Sequence, residues 1–262
     1  MINRRNFLAA AGVAGMVPMT GSRLAADEAP AGGRDYYELR QYAIETPAQK
    51  KLLDKFLSEA AIPALNRLGV KPVGVFLPLE AVSPVYVLLR HKSAEVLAAI
   101  DERLLTDEEF VRKGAEFLGA PVSAPAYKRI ETSLMIAFRG MPELARPATA
   151  PGRVFQLRTY ESPSVKTNLK KIEMFNDAGE IAIFHRVGLN PVFFGRTLVG
   201  TKMPNLTYML CFDSKEAMAA GWKKFVKDPD WLKLKAMPEY GDKTILCGIT
   251  NLVLKPAEYS QI

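Results

Sequence analysis

The sequence predicts an α+β fold of two tandem ferredoxin-like βαββαβ domains, which together form within one chain the barrel that dimeric α+β barrel proteins build from two. Three observations carry this expectation. Four segments recur in the same order: Tyr37–Tyr42 in Phe155–Tyr160, Arg67–Val73 in Arg186–Val192, Tyr86–Leu88 in Tyr208–Leu210, and Thr132–Leu134 in Thr250–Leu252, at offsets of 118, 119, 122 and 118. Strand-like and helix-like periods alternate in one order within each copy. Between the copies, Arg139 to Gly152 holds Pro142, Pro147 and Pro151 with no apolar period, which reads as a linker.

In the first copy, Tyr37 to Tyr42 alternates as a strand. Thr46-Pro47 then supplies an N-cap and a first-turn proline, and Leu52, Leu53, Phe56, Leu57, Ala60 and Ala61 fall on one helical face. Gly69 stops that helix, and Val73 to Leu77 and Val85 to Leu89 are β-rich segments parted by a turn with Pro78 and Pro84. A second helix is expected from Ser93, and Ile130 to Phe138 closes the copy as a fourth strand. In the second copy, Ser162-Pro163 is expected to open the first helix, Gly188 to end it, and Asp213 with Glu216 to form a capping box. The expected divisions are a leader at 1–26, a first domain at 36–139, a linker at 140–152 and a second domain at 153–256. A ferredoxin-like sheet carries helices on one face only, so two copies can cover each other sheet to sheet with helices outside.

The leader reads as an export address. Arg4-Arg5 precedes an apolar run from Ala9 to Met19, and Leu24-Ala25-Ala26 offers a small-residue cleavage site before Asp27. This order resembles a twin-arginine signal peptide, with the plain alternative of a disordered N-terminal tail on a cytoplasmic protein. The apolar run is too short and too broken by Gly12, Gly15 and Pro18 for a permanent span, so an exported, periplasmic or extracytoplasmic address is expected.

Composition excludes more than it assigns. The chain has 262 residues, 48% of them hydrophobic and 24% charged, which is the profile of a packed protein. The formal charge of +7 falls to an excess of four without Arg4, Arg5 and Arg23, too little and too scattered for nucleic acid. Cys211, Cys247, His91 and His185 show no metal-ligand spacing, and no glycine-rich nucleotide loop occurs, so neither a metal nor a cofactor is expected. The two cysteines lie on strands that are not neighbours in a ferredoxin-like order, so they are expected as buried free thiols.

The Tyr-Glu-Leu-Arg-Gln-Tyr block, Arg67-Leu68-Gly69-Val70-Lys71-Pro72-Val73, Glu180–Gly188 and Pro204–Leu210 resemble the NIPSNAP family over residues from about 36 to 262. The resemblance is to exported bacterial members with two such domains. It implies the dimeric α+β barrel fold and brings no catalytic motif with it.

Alternation places Glu38, Arg40 and Tyr42 on one face of the first strand, and Gln156, Arg158 and Tyr160 on the same face of its repeat. The more apolar face, with Tyr37, Leu39, Phe155 and Leu157, is expected against the helices. The polar six would then line a lumen between the domains, where two guanidinium groups suit an anionic small molecule. The plainer alternative is that Glu38, Glu161 or other acids across the domain interface neutralise Arg40 and Arg158. His185, at a helix end beside Arg186, is read as an interface or surface histidine and, less simply, as a general base. Trp222, Phe225, Trp231 and Tyr240 fit core packing as well as an aromatic ligand box. The leading expectation is an exported protein that binds a small molecule or protein between its domains, with homo-oligomers open. The rivals are a cofactor-independent monooxygenase or haem-related enzyme, by analogy with the fold, and an assembly module pairing through a sheet edge. A haem would need His91 or His185 as axial ligand, and neither falls in the expected lumen.

Overall fold

A computed structural model describes residues 33–262; the expected leader and its cleavage site lie outside them. The first unit runs β1 (Tyr36–Ala43), α1 (Pro47–Phe56), a π-helical turn at Leu57–Ala61, α2 (Ile62–Arg67), β2 (Val73–Pro78), β3 (Val85–His91), α3 (Ala94–Ala98), α4 (Ile100–Leu105), α5 (Glu108–Leu118) and β4 (Arg129–Ala137). The second runs β5 (Val154–Glu161), α6 (Val165–Asn176), α7 (Glu180–Val187), β6 (Asn190–Val199), β7 (Asn205–Phe212), α8 (Lys215–Phe225), α9 (Pro229–Lys235), a 3₁₀ turn at Pro238–Tyr240, α10 (Asp242–Ile245) and β8 (Gly248–Pro256). Each is βαββαβ, with the second helical layer broken into short pieces where one helix was expected.

Local chemistry sets most boundaries. Thr46 caps α1 by accepting from the Gln49 amide, and the Gln49 side chain answers to complete a capping box. Gly69 and Gly188 end the first helical layers with φ of +83° and +82°, the left-handed region where a Cβ is penalised. Two expected caps move. Ser164, not Ser162, caps α6, and Ser214, not Asp213, caps α8, each accepting from the amide three residues on. The repeat also breaks where α1 and α2 continue through the π turn: the second unit stops at Asp177 and restarts after Gly179, at φ +95°.

The eight strands close into one barrel in the order β1-β3-β2-β8-β5-β7-β6-β4. Each unit contributes four neighbours, and the units join edge to edge through β2–β8 and β4–β6, not as two sheets stacked face to face. Every neighbouring pair is antiparallel, so β1 and β5 run the same way and the two-fold relating the units lies along the barrel axis. The β2–β8 seam is short, and the segment after β8 extends it. The Ala257 and Gln261 amides donate to the Val75 and Val73 carbonyls, and the Ser260 hydroxyl and Gln261 side-chain oxygen accept from the Val75 and Val73 amides.

A closed eight-stranded barrel is just wide enough for its side chains to fill it. The interior core holds Tyr37, Leu39, Phe76, Leu88, Met135, Phe155, Leu157, Phe193, Met209 and Leu254, with Ile262 inserted from the segment after β8. Two further cores lie outside the barrel wall, one under the helices of each unit. Cys211 is buried, where loss of solvation pushes its thiol up to about 11, whereas Cys247 is exposed, contrary to expectation. Both are free. No helix among the described residues is long and apolar enough to cross a membrane.

Ile262 is 1% exposed and packs at Gly74 beside the Phe76 ring, so Ile262→Ala leaves a cavity inside the barrel. The expected loss is about 3 kcal/mol, read as a lower denaturant midpoint at unchanged slope.

Candidate functional site

The strand register reverses the expected faces. Tyr37, Leu39, Phe155 and Leu157 point into the barrel, and Tyr42 and Tyr160 belong to the cores beneath the helices. Glu38, Arg40, Gln156 and Arg158 alternate with those interior residues and share the helix-facing side. None of the six expected lumen residues lines the lumen. The reason is volume and charge: a filled barrel offers a buried ion no partner, while the space under the helices supplies acids and aromatic rings. The lumen opens at the end where β1 and β5 finish, in a cavity of about 290 Å³ that includes Gln41, Glu131, Ser133, Thr159, Thr207 and Thr250.

The register also corrects the repeat. Arg40 pairs with Val87 and Arg158 with Tyr208, so Tyr208 answers Val87, not Tyr86. Tyr86 belongs to the barrel interior and Tyr208 to the second unit's outer core. Thr132, opposite Arg40, and Thr250, opposite Thr159, likewise stand on opposite faces.

Under the helices of the first unit lies a largely apolar cleft of about 240 Å³. Leu57 and Ala61 of the π turn, Leu65, Val87, Phe117 and Tyr127 line it, and Arg40, Tyr42 and Asp101 bring its polar groups. The π turn forms part of this wall, a position such turns often take at functional sites. Beside the cleft, the Arg40 Nε donates to Glu38 Oε1, His91 Nε2 lies 3.0 Å from Glu38 Oε2, and Arg40 Nη2 reaches Asp101 Oδ1 at 3.5 Å. Arg40 is thus neutralised by acids, as in the plainer alternative. Burial works to raise the Glu38 carboxyl, but the His91 hydrogen bond and the Arg40 charge outweigh it and hold it below the ordinary range. His91 is fully buried and its Nδ1 has no partner. The sequence assigns it to no site; the available signal was its phase on β3, shared with Val85, Val87 and Leu89.

The second unit has the same frame with its cleft filled. Tyr208 replaces Val87, and Phe184 replaces Leu65 when the helices are aligned on Gly69 and Gly188. Phe184 packs against Phe194, Tyr208 and Trp222 at centroid distances of 5.9 Å each. At the place of Ala61 stands Glu180, buried against the Lys171 ammonium at 3.3 Å. Lys171 also lies over the Phe175, Tyr160 and Trp231 rings, so the aromatic cluster is core with an internal cation. Gln156 replaces Glu38 and accepts from the Trp222 indole N–H at 2.6 Å, while Arg158 lies 4.8 Å from that ring and donates to the Tyr160 hydroxyl at 3.0 Å. His185 is exposed at the end of α7, beside Arg146 and Asn190, and joins neither arginine's surroundings. Arg67 and Arg186 do correspond: each pairs with the aspartate that caps a later helix, Asp107 and Asp228. No group of His, Cys, Asp and Glu among the described residues could hold a metal ion.

Fold and site together define a barrel-forming tandem α+β protein with one open and one filled cleft between sheet and helices. Residues 155–261, which are the second unit, match the NIPSNAP family model. No curated protein matches the chain in sequence. Solved structures similar in fold include a candidate monooxygenase from Lactobacillus acidophilus, at TM-score 0.57 and 8% identity over 85% of this chain and 94% of that one. An anthrone oxidase-like protein superposes at 0.52 and 9% identity over 86% and 92%, and a candidate chlorite dismutase at 0.53 and 12% over 87% and 96%. At these identities the likeness is one of fold.

Glu38→Gln leaves Arg40 short of its buried counter-charge and is expected to cost about 3 kcal/mol at neutral pH. Because the folded carboxyl titrates below its unfolded value, the wild-type advantage is complete above about pH 4.3 and shrinks as pH falls through the folded value. Urea unfolding of both chains from pH 7 to pH 3 measures the convergence.

Proposed function

We propose that the chain is a small-molecule binding protein whose working site is the first unit's cleft, with the second unit serving as the closed half that completes the barrel. The observation that carries this reading is the open space at Val87, Leu65 and Ala61, where the second unit places Tyr208, Phe184 and Glu180. The lining suits a ring-bearing apolar body, and the Arg40 guanidinium beside Tyr42 suits a neutral oxygen acceptor such as a carbonyl or hydroxyl. Glu38 and Asp101 already offset the Arg40 charge, which disfavours an anionic head in this cleft. The twin-arginine-like leader supports delivery of the chain outside the cytoplasm. The edge-pairing assembly route lacks support, because a closed barrel leaves none of its eight strands a free edge.

A second reading makes the cleft the seat of oxygen chemistry on an aromatic ligand. It draws on the aromatic lining together with the fold shared with the candidate monooxygenase and the anthrone oxidase-like protein. The haem-related version draws on the fold shared with the candidate chlorite dismutase but has less support from this cleft, which no His or Cys lines.

With 2-naphthol as probe, native mass spectrometry of the full chain is expected to show one bound equivalent, weakened at least about tenfold in Val87→Tyr, the residue type the second unit uses. Equal binding by Val87→Tyr would remove the cleft as the site. Oxygen uptake on mixing probe and protein, also lost in Val87→Tyr, would favour the second reading.

A further inference from the structure

Arg40 and Arg158 occupy equivalent places on β1 and β5 in opposite electrostatic settings. Two acids face Arg40: Glu38 two residues before it, and Asp101 from α4. Around Arg158 both positions are neutral. Gln156 replaces Glu38, and Trp222, at the same distance along the chain from its capping serine as Asp101, covers the guanidinium. Among the described residues Arg158 forms no ion pair; its partners are the Tyr160 and Tyr208 hydroxyls and the Trp222 and Tyr160 rings, and its Nε is buried with no acceptor. Glu180, whose charge Arg158 feels, is engaged by Lys171. A half-buried cation without a counter-charge is costly, and neutral phenols and ring faces recover only part of that cost.

We propose that Arg158 is the core of an occluded anion site that takes the carboxylate or phosphate group of a small ligand, with Trp222 as its displaceable cover. Trp222 is half-buried on α8 and is held by its hydrogen bond to Gln156 and by edge contacts to Phe184 and Phe225. When the indole turns away, the guanidinium face and the Nε–H are released. The Gln156 amide, no longer required as acceptor, can rotate to offer its own N–H. A planar guanidinium fork with an adjacent amide donor matches an oxyanion, and the Tyr160–Tyr208 hydroxyl pair, 2.9 Å apart, adds a third source of donors. This site is independent of the first unit's cleft.

The chain has two tryptophans, so Trp231→Phe leaves Trp222 as the sole indole reporter. Titration of that full-length variant with sodium benzoate, and separately with sodium phosphate, at ionic strength fixed with chloride, is expected to give a saturable change in Trp222 fluorescence. A response to benzoate alone assigns a carboxylate, and one to phosphate alone a phosphate. Adding Arg158→Gln is expected to weaken binding at least about tenfold, Arg158→Lys to weaken it less because charge without the fork remains, and Lys224→Gln, an exposed cation on the same helix as Trp222, to leave it unchanged. By calorimetry, Trp222→Ala is expected to bind several-fold more tightly because the cover no longer competes. No response to either anion beyond that of chloride, or a response equal in the Arg158 variants, overturns the site. Unchanged affinity in Trp222→Ala overturns the cover.

Discussion

Closure of the barrel is the constraint on which the rest of the molecule depends. Eight strands leave an interior only as wide as the side chains that fill it, so the middle of the barrel is apolar, polar inward positions gather at the end where β1 and β5 finish, and the face that carries both arginines is turned outward under the helices. Both arginines, with Glu38 and His91, are therefore placed between sheet and helices, where backbone and side-chain partners exist. The same closure joins β2 to β8 and β4 to β6, so neither unit has a complete set of strand neighbours without the other.

Within this frame, duplication has produced two different interiors from one plan. The first unit keeps small aliphatic residues beside an Arg–Glu–His cluster and retains open space. The second has filled that space with Phe184, Tyr208 and Trp222 and enclosed a Lys171–Glu180 pair. Burial works to raise the Glu180 carboxyl, and the adjacent ammonium opposes it. The half that matches the family model is the filled one. The open cleft lies outside the matched segment.

Much of this was legible in the sequence. The offset of 118 that relates Arg40 to Arg158, the caps at Thr46 and the stops at Gly69 and Gly188 follow from local residue chemistry, which tertiary structure rarely overrides. The direction of each face was not legible, because both faces of β1 and β5 are partly apolar and only closure decides which turns inward. Nor was the phase of β3 against β7: Tyr86 and Tyr208 look like partners, yet a one-residue change in spacing puts them on opposite sides of the wall. The exchange of Glu38 for Gln156 was visible from the start, but it acquired meaning only when Asp101 and Trp222 were found over the same arginines.

The segment that follows β8 has a consequence for the order of events during synthesis. It lies along the β2 edge of the first unit and seats Ile262 inside the barrel, so a wall begun near residue 73 is finished by residues 257–262. A ribosome-bound chain carrying only the first unit exposes both β2 and β4 as unpaired edges, and β2 is covered only after β8 and residues 257–262 have been made. Barrel closure is then a late, long-range event in which the two halves commit together, and the first half spends its time on the ribosome as an open sheet in need of shelter.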